Sequence, residues 1–328
     1  MTNEQMKKVA IGASVFALVS ITLMLHRSAT KHILITDAAG APIDRGLSDN
    51  SYTLLIDKNV PQGKENTLII PLPGSVSSDN ILLEDGYLDH ELRIYIDSRE
   101  EGFYKDNPIV TDLDILEKAV CVSRNDSGSV CLDFQTDQLY VNESSLTESS
   151  TIEVKFSRPA EKYDHIVVVD PEDGNAPLDT ALFLKGIADA DQENDIKIYF
   201  TRQTQEPVDR EKRLSLIKDS QADLLVELSA EDADAQGKNG LTAYYNDKYF
   251  VRRMDNARFG DIMLRNCALK SGTDGLGVLP ERPENEVLGT SKIPSTRINL
   301  EGDFGEKDIE RLAQGIYSGI LETFEVME

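Results

Sequence analysis

The sequence has no tryptophan, four histidines and three cysteines in 328 residues, and acidic residues outnumber basic ones 58 to 34. Each shortage narrows the field. The net charge of −24 repels a phosphate backbone, and no basic stripe offsets it, so nucleic acid is not expected as a partner. The three cysteines lack metal-ligand spacing, which leaves at most one disulfide and a spare thiol. The histidines are His26, His32, His90 and His165. Only His165 lies beyond residue 164, where it opens a strand, so that half cannot assemble a two-histidine metal site. His165 reads as a strand-edge or linker residue.

Charge is also missing locally. The run VAIGASVFALVSITLML, Val9 to Leu25, is uncharged, with Lys7-Lys8 before it and His26-Arg27 after it. As a helix it would span about 26 Å at about 1.5 Å per residue, the short end of a membrane crossing. A cleaved signal peptide usually has a shorter apolar core and a small-x-small cleavage site. No such site follows Leu25. The expectation is therefore an uncleaved anchor: residues 1–8 as a cytoplasmic tail, 9–25 crossing the cell membrane once, and the following domains extracytoplasmic.

What is present falls into two patterns. From residue 32 to 158, short runs such as HILITD, SYTLLID, NTLIIPLP, ELRIYID, AVCVS, SVCLDF and TIEVKF alternate with Gly, Asn, Asp, Ser and Pro clusters. They predict an all-β, sandwich-like domain. Cys121 and Cys131 are equidistant from Asp126 in the turn-rich segment between them, so a hairpin there makes them a candidate disulfide. Two reduced, packed cysteines are an equal alternative. Ser144–Ser150 reads as a loop and Ser157–Asp164 as the linker. Over 164–328, strands such as IVVVD, IKIYFTR, ADLLVELS and PSTRINLEG alternate with helical patterns. They predict an α/β fold with a mixed, largely parallel sheet flanked by helices.

The second pattern carries ordered motifs. Asp170-Pro-Glu-Asp-Gly-Asn175 follows the first strand, then come Thr201-Arg202, Arg213, Ala222-Asp223-Leu224, Glu227-Leu-Ser-Ala-Glu231, Gly240 to Tyr245, Gly272 to Val278, and Pro294. In order and spacing this set resembles the zinc-dependent N-acetylmuramoyl-L-alanine amidases of type 3, over about residues 164–325. More loosely, the β-rich half resembles the AMIN domains that accompany such enzymes in the cell envelope. The resemblance implies a bacterial protein concerned with peptidoglycan.

It also implies which residues should do chemistry, and there the sequence departs. Amidases of this family use two histidines and a glutamate on zinc, with a further glutamate as general base. Asp173 stands at the first histidine position, Ser229 at the second and Asn299 at the catalytic glutamate, while the loop carrying the glutamate ligand is missing. The expectation is a degenerate member with no catalytic residues and no zinc or other cofactor. It would bind peptidoglycan or an envelope protein partner. An active amidase with altered ligands and a purely structural envelope protein are the alternatives. The candidate pocket residues are Asp170, Asp173, Glu227 and Glu231, read as solvated acids rather than ligands of a hard cation.

Overall fold

The computed structural model describes residues 31–32, 35–37, 51–53, 66–98, 100, 102–124, 129–147, 150–191, 193–232, 239–248, 254–282 and 284–328. The expected anchor at 9–25 lies outside them. Among the described residues no helix is long and apolar enough to cross a membrane. The chain divides into two compact units, with a boundary between Ser157 and Arg158.

Among the described residues the first unit has ten strands: β1 (Lys31–His32), β2 (Ile35–Asp37), β3 (Ser51–Thr53), β4 (Thr67–Pro71), β5 (Ile81–Gly86), β6 (Glu91–Ile96), β7 (Leu116–Arg124), β8 (Ser129–Thr136), β9 (Val141–Leu146) and β10 (Thr151–Ser157). They form a four-stranded sheet, β1-β9-β10-β4, and a six-stranded sheet, β2-β5-β6-β8-β7-β3. Strand β10 shows the governing period. Ile152, Val154 and Phe156 are buried while Glu153 and Lys155 turn away. Its inward residues join Leu68 and Ile70 of β4 in one core with Leu83, Ile94, Leu132 and Phe134 of the other sheet. The short helix α1 (Phe103–Asp106) adds Tyr104 to that core.

Two details differ from the sequence expectation. Ser144–Leu146, read as loop, completes β9, pairing in register with Val154, Glu153 and Ile152 of β10, whose own apolar alternation carries the packing that the serines lack. The candidate disulfide does not form: Cys121 and Cys131 are both buried, and no disulfide joins them. The β7–β8 register pairs Cys121 with Leu132 and Val122 with Cys131. Opposed residues share a face and neighbours alternate, so the two thiols lie on opposite faces of the sheet. A hairpin symmetric about Asp126 would have paired them; a register one residue away separates them.

The second unit opens with α2 (Pro159–Lys162) and continues β11 (His165–Pro171), α3 (Asn175–Ala190), β12 (Ile196–Phe200), α4 (Arg210–Asp219), β13 (Leu224–Glu231), β14 (Gly240–Tyr245), α5 (Asn256–Ser271), β15 (Asp274–Pro280), α6 (Glu286–Thr290), β16 (Ser295–Glu301) and α7 (Glu306–Met327). Its sheet runs β12-β11-β13-β16-β14-β15. Every neighbouring pair is parallel except β14–β16. The mixed, largely parallel α/β sheet expected from the sequence is therefore present. Strand β15 was not anticipated: its Gly-rich, exposed sequence lacks strand alternation, and it sits at the sheet edge with an irregular register beside Leu241/Thr242.

Alternation assigns the faces. Val167, Val169, Val226, Leu228, Ile298 and Leu300 meet α3, α5 and α7 in one core. Helix α7 approaches α5 through small residues. A Cβ on Gly315 would lie 2.6 Å from the Cys267 Cα, and one on Gly319 would lie 2.6 Å from Met263 Sδ. At the far end of α7, the ring of Phe324 stacks on His165 at 4.0 Å between centroids. The opposite face of the sheet carries Asp170, Glu227, Ser229, Arg297 and Asn299, all buried.

Candidate functional site

Parallel strands end together, so polar residues at their carboxyl ends gather in one place. Asp170 is paired in register with Glu227, Glu227 with Arg297, and Arg297 with Tyr244, which makes one row across four strands. Ser229, Asn299 and Thr242 form the next row. Helices α4 and α6 supply the remaining walls. The arrangement encloses a cleft of about 570 Å³ whose lining includes Glu172, Arg213, Glu227, Glu281, Asn285 and Arg297.

Three ion-paired clusters order this cleft. Asp170, fully buried, accepts from Thr201 Oγ1 and from Arg213, whose Nε lies 2.8 Å from Oδ1 and 3.0 Å from Oδ2. This fork of donors holds a carboxylate in place. Arg297 makes a second fork on Glu281, with Nε 2.6 Å from Oε2 and Nη2 2.8 Å from Oε1. Its remaining Nη1 donates to Ser229 Oγ at 2.8 Å, and Ser229 in turn donates to Asn299 Oδ1 at 2.8 Å. The Arg297 guanidinium also lies 4.3 Å from the centre of the Tyr244 ring. Arg210 pairs with Glu286 of α6, linking α6 to α4.

Glu227 is different. It is 1% exposed, and its Oε2 accepts from Asn285 Nδ2 at 2.5 Å. Its Oε1 has no hydrogen bond and lies 3.8 Å from Arg213 Nη2. Burial, reinforced by the adjacent Asp170 carboxylate, pushes its pKa well above the ordinary carboxylate range. Burial also raises the half-buried Glu172, against the pull of Arg297 and Arg213.

Of the four candidate acids, Asp170 and Glu227 are adjacent and buried. The other two are not in the cleft. Asp173 is 89% exposed at its side chain and lies 3.6 Å from Arg202 Nη1, because the Gly174 turn swings it outward ahead of α3. Glu231 lies past the buried part of β13 and is exposed. Among the described residues, no group of three or more His, Cys, Asp or Glu side chains is placed to hold a metal ion.

The residues at the resemblance's zinc positions do not suit zinc. Asp173 points away, and Ser229 is a neutral oxygen that accepts from the Arg297 guanidinium and donates to Asn299, the residue at the catalytic glutamate position. Zinc takes anionic or imidazole ligands, and a fixed cation opposes a second one. His165, at the other end of β11, is occupied by its stack on Phe324.

Glu172, Glu281, Asn285 and Arg297 were not singled out from the sequence. Arg297 was legible, since Ser295, Arg297, Asn299 and Glu301 alternate with Thr296, Ile298 and Leu300 along β16. Glu281 and Asn285 reach the site from the segment after β15, whose Pro-Glu composition resembles any surface loop.

No protein-family model matches this sequence, and no curated protein does. Several solved structures are similar. The catalytic domain of the amidase CwlV from Bacillus (Paenibacillus) polymyxa var. colistinus has a TM-score of 0.42 and 19% identity, covering 49% of this chain and 99% of that one. An N-acetylmuramoyl-L-alanine amidase from Clostridium difficile 630 has a TM-score of 0.43 and 19% identity, covering 49% and 97%. The CwlD amidase from Clostridioides difficile, solved in complex with the GerS lipoprotein, has a TM-score of 0.43 and 15% identity, covering 49% and 99%. These three solved structures, to which the second unit's fold is similar, are all of amidases, two of them described as N-acetylmuramoyl-L-alanine amidases.

Proposed function

We propose that this chain is an amidase-like protein of the bacterial cell envelope that recognises peptidoglycan, or a protein that remodels it, without hydrolysing it. Residues 9–25 hold it in the cell membrane with the two units outside. The observation that carries the proposal is Arg297: its guanidinium is bonded to Ser229 Oγ and forked onto Glu281 where a hydrolase of this kind would need an open metal coordination site. Amide hydrolysis at neutral pH by that route needs a metal to acidify water and a free carboxylate base. Here Asp170 is forked by Arg213, and Glu227 is pushed towards its neutral form. The cleft is left with hydrogen-bonding groups suited to holding a polar ligand.

The test uses the full chain purified in mild detergent. Elemental analysis should show no stoichiometric zinc, muropeptides should release no peptide, and the protein should sediment with intact sacculi or be retained by a wall-remodelling partner. Zinc near one per chain with chelator-sensitive turnover would overturn the proposal. Failure to associate with either sacculi or partner would leave a structural protein instead.

A further inference from the structure

Glu227 has a polar atom that the protein leaves unanswered. Glu227 lines the cleft, and its Oε1 is buried and makes no hydrogen bond. A buried acceptor or donor without a partner is costly, about 1–3 kcal/mol, and usually marks a place for water or ligand. The groups facing it decide which. From β11 come Asp170 and, just beyond the strand, Glu172; from α4 comes Arg213; Asn285 caps α6; Arg297 lies beside it on β16; and Glu281 follows β15. Asn285 donates to Oε2, so a proton on the carboxyl belongs on Oε1. Arg213, whose Nη2 lies 3.8 Å from Oε1, can only donate.

We propose that the cleft binds an amide carbonyl of its ligand, with Glu227 Oε1 as an O–H donor and Arg213 Nη2 as a second donor to the same oxygen. The inference rests on the wall recognition proposed above and names the chemical group read there. A carbonyl oxygen has two lone pairs, and the two donors stand 3.8 Å apart. Charge balance selects an uncharged acceptor over an anion. Arg213 is matched by Asp170, Arg297 by Glu281 and Arg210 by Glu286, and the lining that includes Arg282 also includes Glu172 and Glu284, so it holds no surplus of positive charge. Burial beside Asp170 favours the protonated carboxyl that this contact requires. Amide carbonyls of this kind occur on N-acetylated sugars and on peptides.

Titration calorimetry on the full chain separates the sources. The probes are a tetramer of N-acetylglucosamine and an acetylated, amidated alanine tetrapeptide, with sodium acetate as the anion control. At least one amide probe should bind at pH 5.5, and its affinity should fall as pH rises. Glu227→Ala should lose about tenfold or more, the worth of one buried hydrogen bond. Glu227→Gln keeps a donor in the same place, so it should bind like wild type at pH 5.5 and lose the pH dependence. The proposal is overturned if neither amide probe binds, if acetate binds as well as they do, or if Glu227→Gln binds as poorly as Glu227→Ala. Sacculus sedimentation distinguishes the two levels. Equal retention of wild type and Glu227→Ala at every pH would sink the amide contact and leave wall recognition standing. Probe binding without sacculus retention would do the reverse.

Discussion

At the scale of residues, the cleft contrasts one satisfied acid with one unsatisfied acid. Asp170 has a hydroxyl and a guanidinium fork; its in-register neighbour Glu227 has one amide donor and a free oxygen. Folding therefore raises the proton affinity of Glu227. The stability this contributes is complete below the unfolded-state pKa, about 4.3, and is lost as pH rises through the raised folded value. Glu227→Gln, which removes the buried charge and keeps the shape, should melt above wild type at pH 8. The gap should narrow towards pH 4. A gap constant across that range in thermal melts would show that Glu227 stays ionised in the folded protein. Which acids enter the cleft was only partly legible. Strand period places Glu227 and Glu231 on one face, yet it says nothing of where β13 leaves the core, and Glu231 falls beyond that point. Asp173 was misplaced for a related reason, because a glycine at φ +124 redirects the chain next to it.

At the scale of elements, the helical layer depends on how closely α7 can approach α5. Gly315 and Gly319 sit where a Cβ would meet helix α5 at 2.6 Å. Gly186 of α3 is exposed, with nothing within 4 Å of an added Cβ. Alanine normally improves a helix by about 0.5–1 kcal/mol over glycine. Gly186→Ala should realise that gain. Gly315→Ala should instead destabilise by about 1–3 kcal/mol, because it pushes into Cys267 backbone that cannot move aside. Denaturant midpoints of the two variants provide the check, and equal effects would show that the helix pair relaxes freely. Elements were easiest to read where burial is one-sided or continuous. β10 alternates and β11 carries the unbroken apolar run Ile166–Val169, and both stand out in the sequence. β15 and α6 did not, since an exposed edge strand and a five-residue helix bury too little to leave a period.

At the scale of the whole chain, the two units keep separate cores, one between two β-sheets and one between a sheet and its helices. The order of elements in the second unit was legible from alternating strand and helix patterns. The pairing of β14 between β16 and β15 was not, because sheet order depends on contacts far apart in sequence. One feature of that unit reaches beyond its packing. His165 opens its first strand, Phe324 lies in the last turns of its final helix, and their rings touch. The entry and exit of the α/β unit are thus neighbours. A short peptide joining them, with new ends opened at the exposed bend around Glu206, should give a circular permutant with the same fold and the same far-ultraviolet circular dichroism. A unit with its ends side by side can also sit inside another protein as a single insert, joined at one point on its surface.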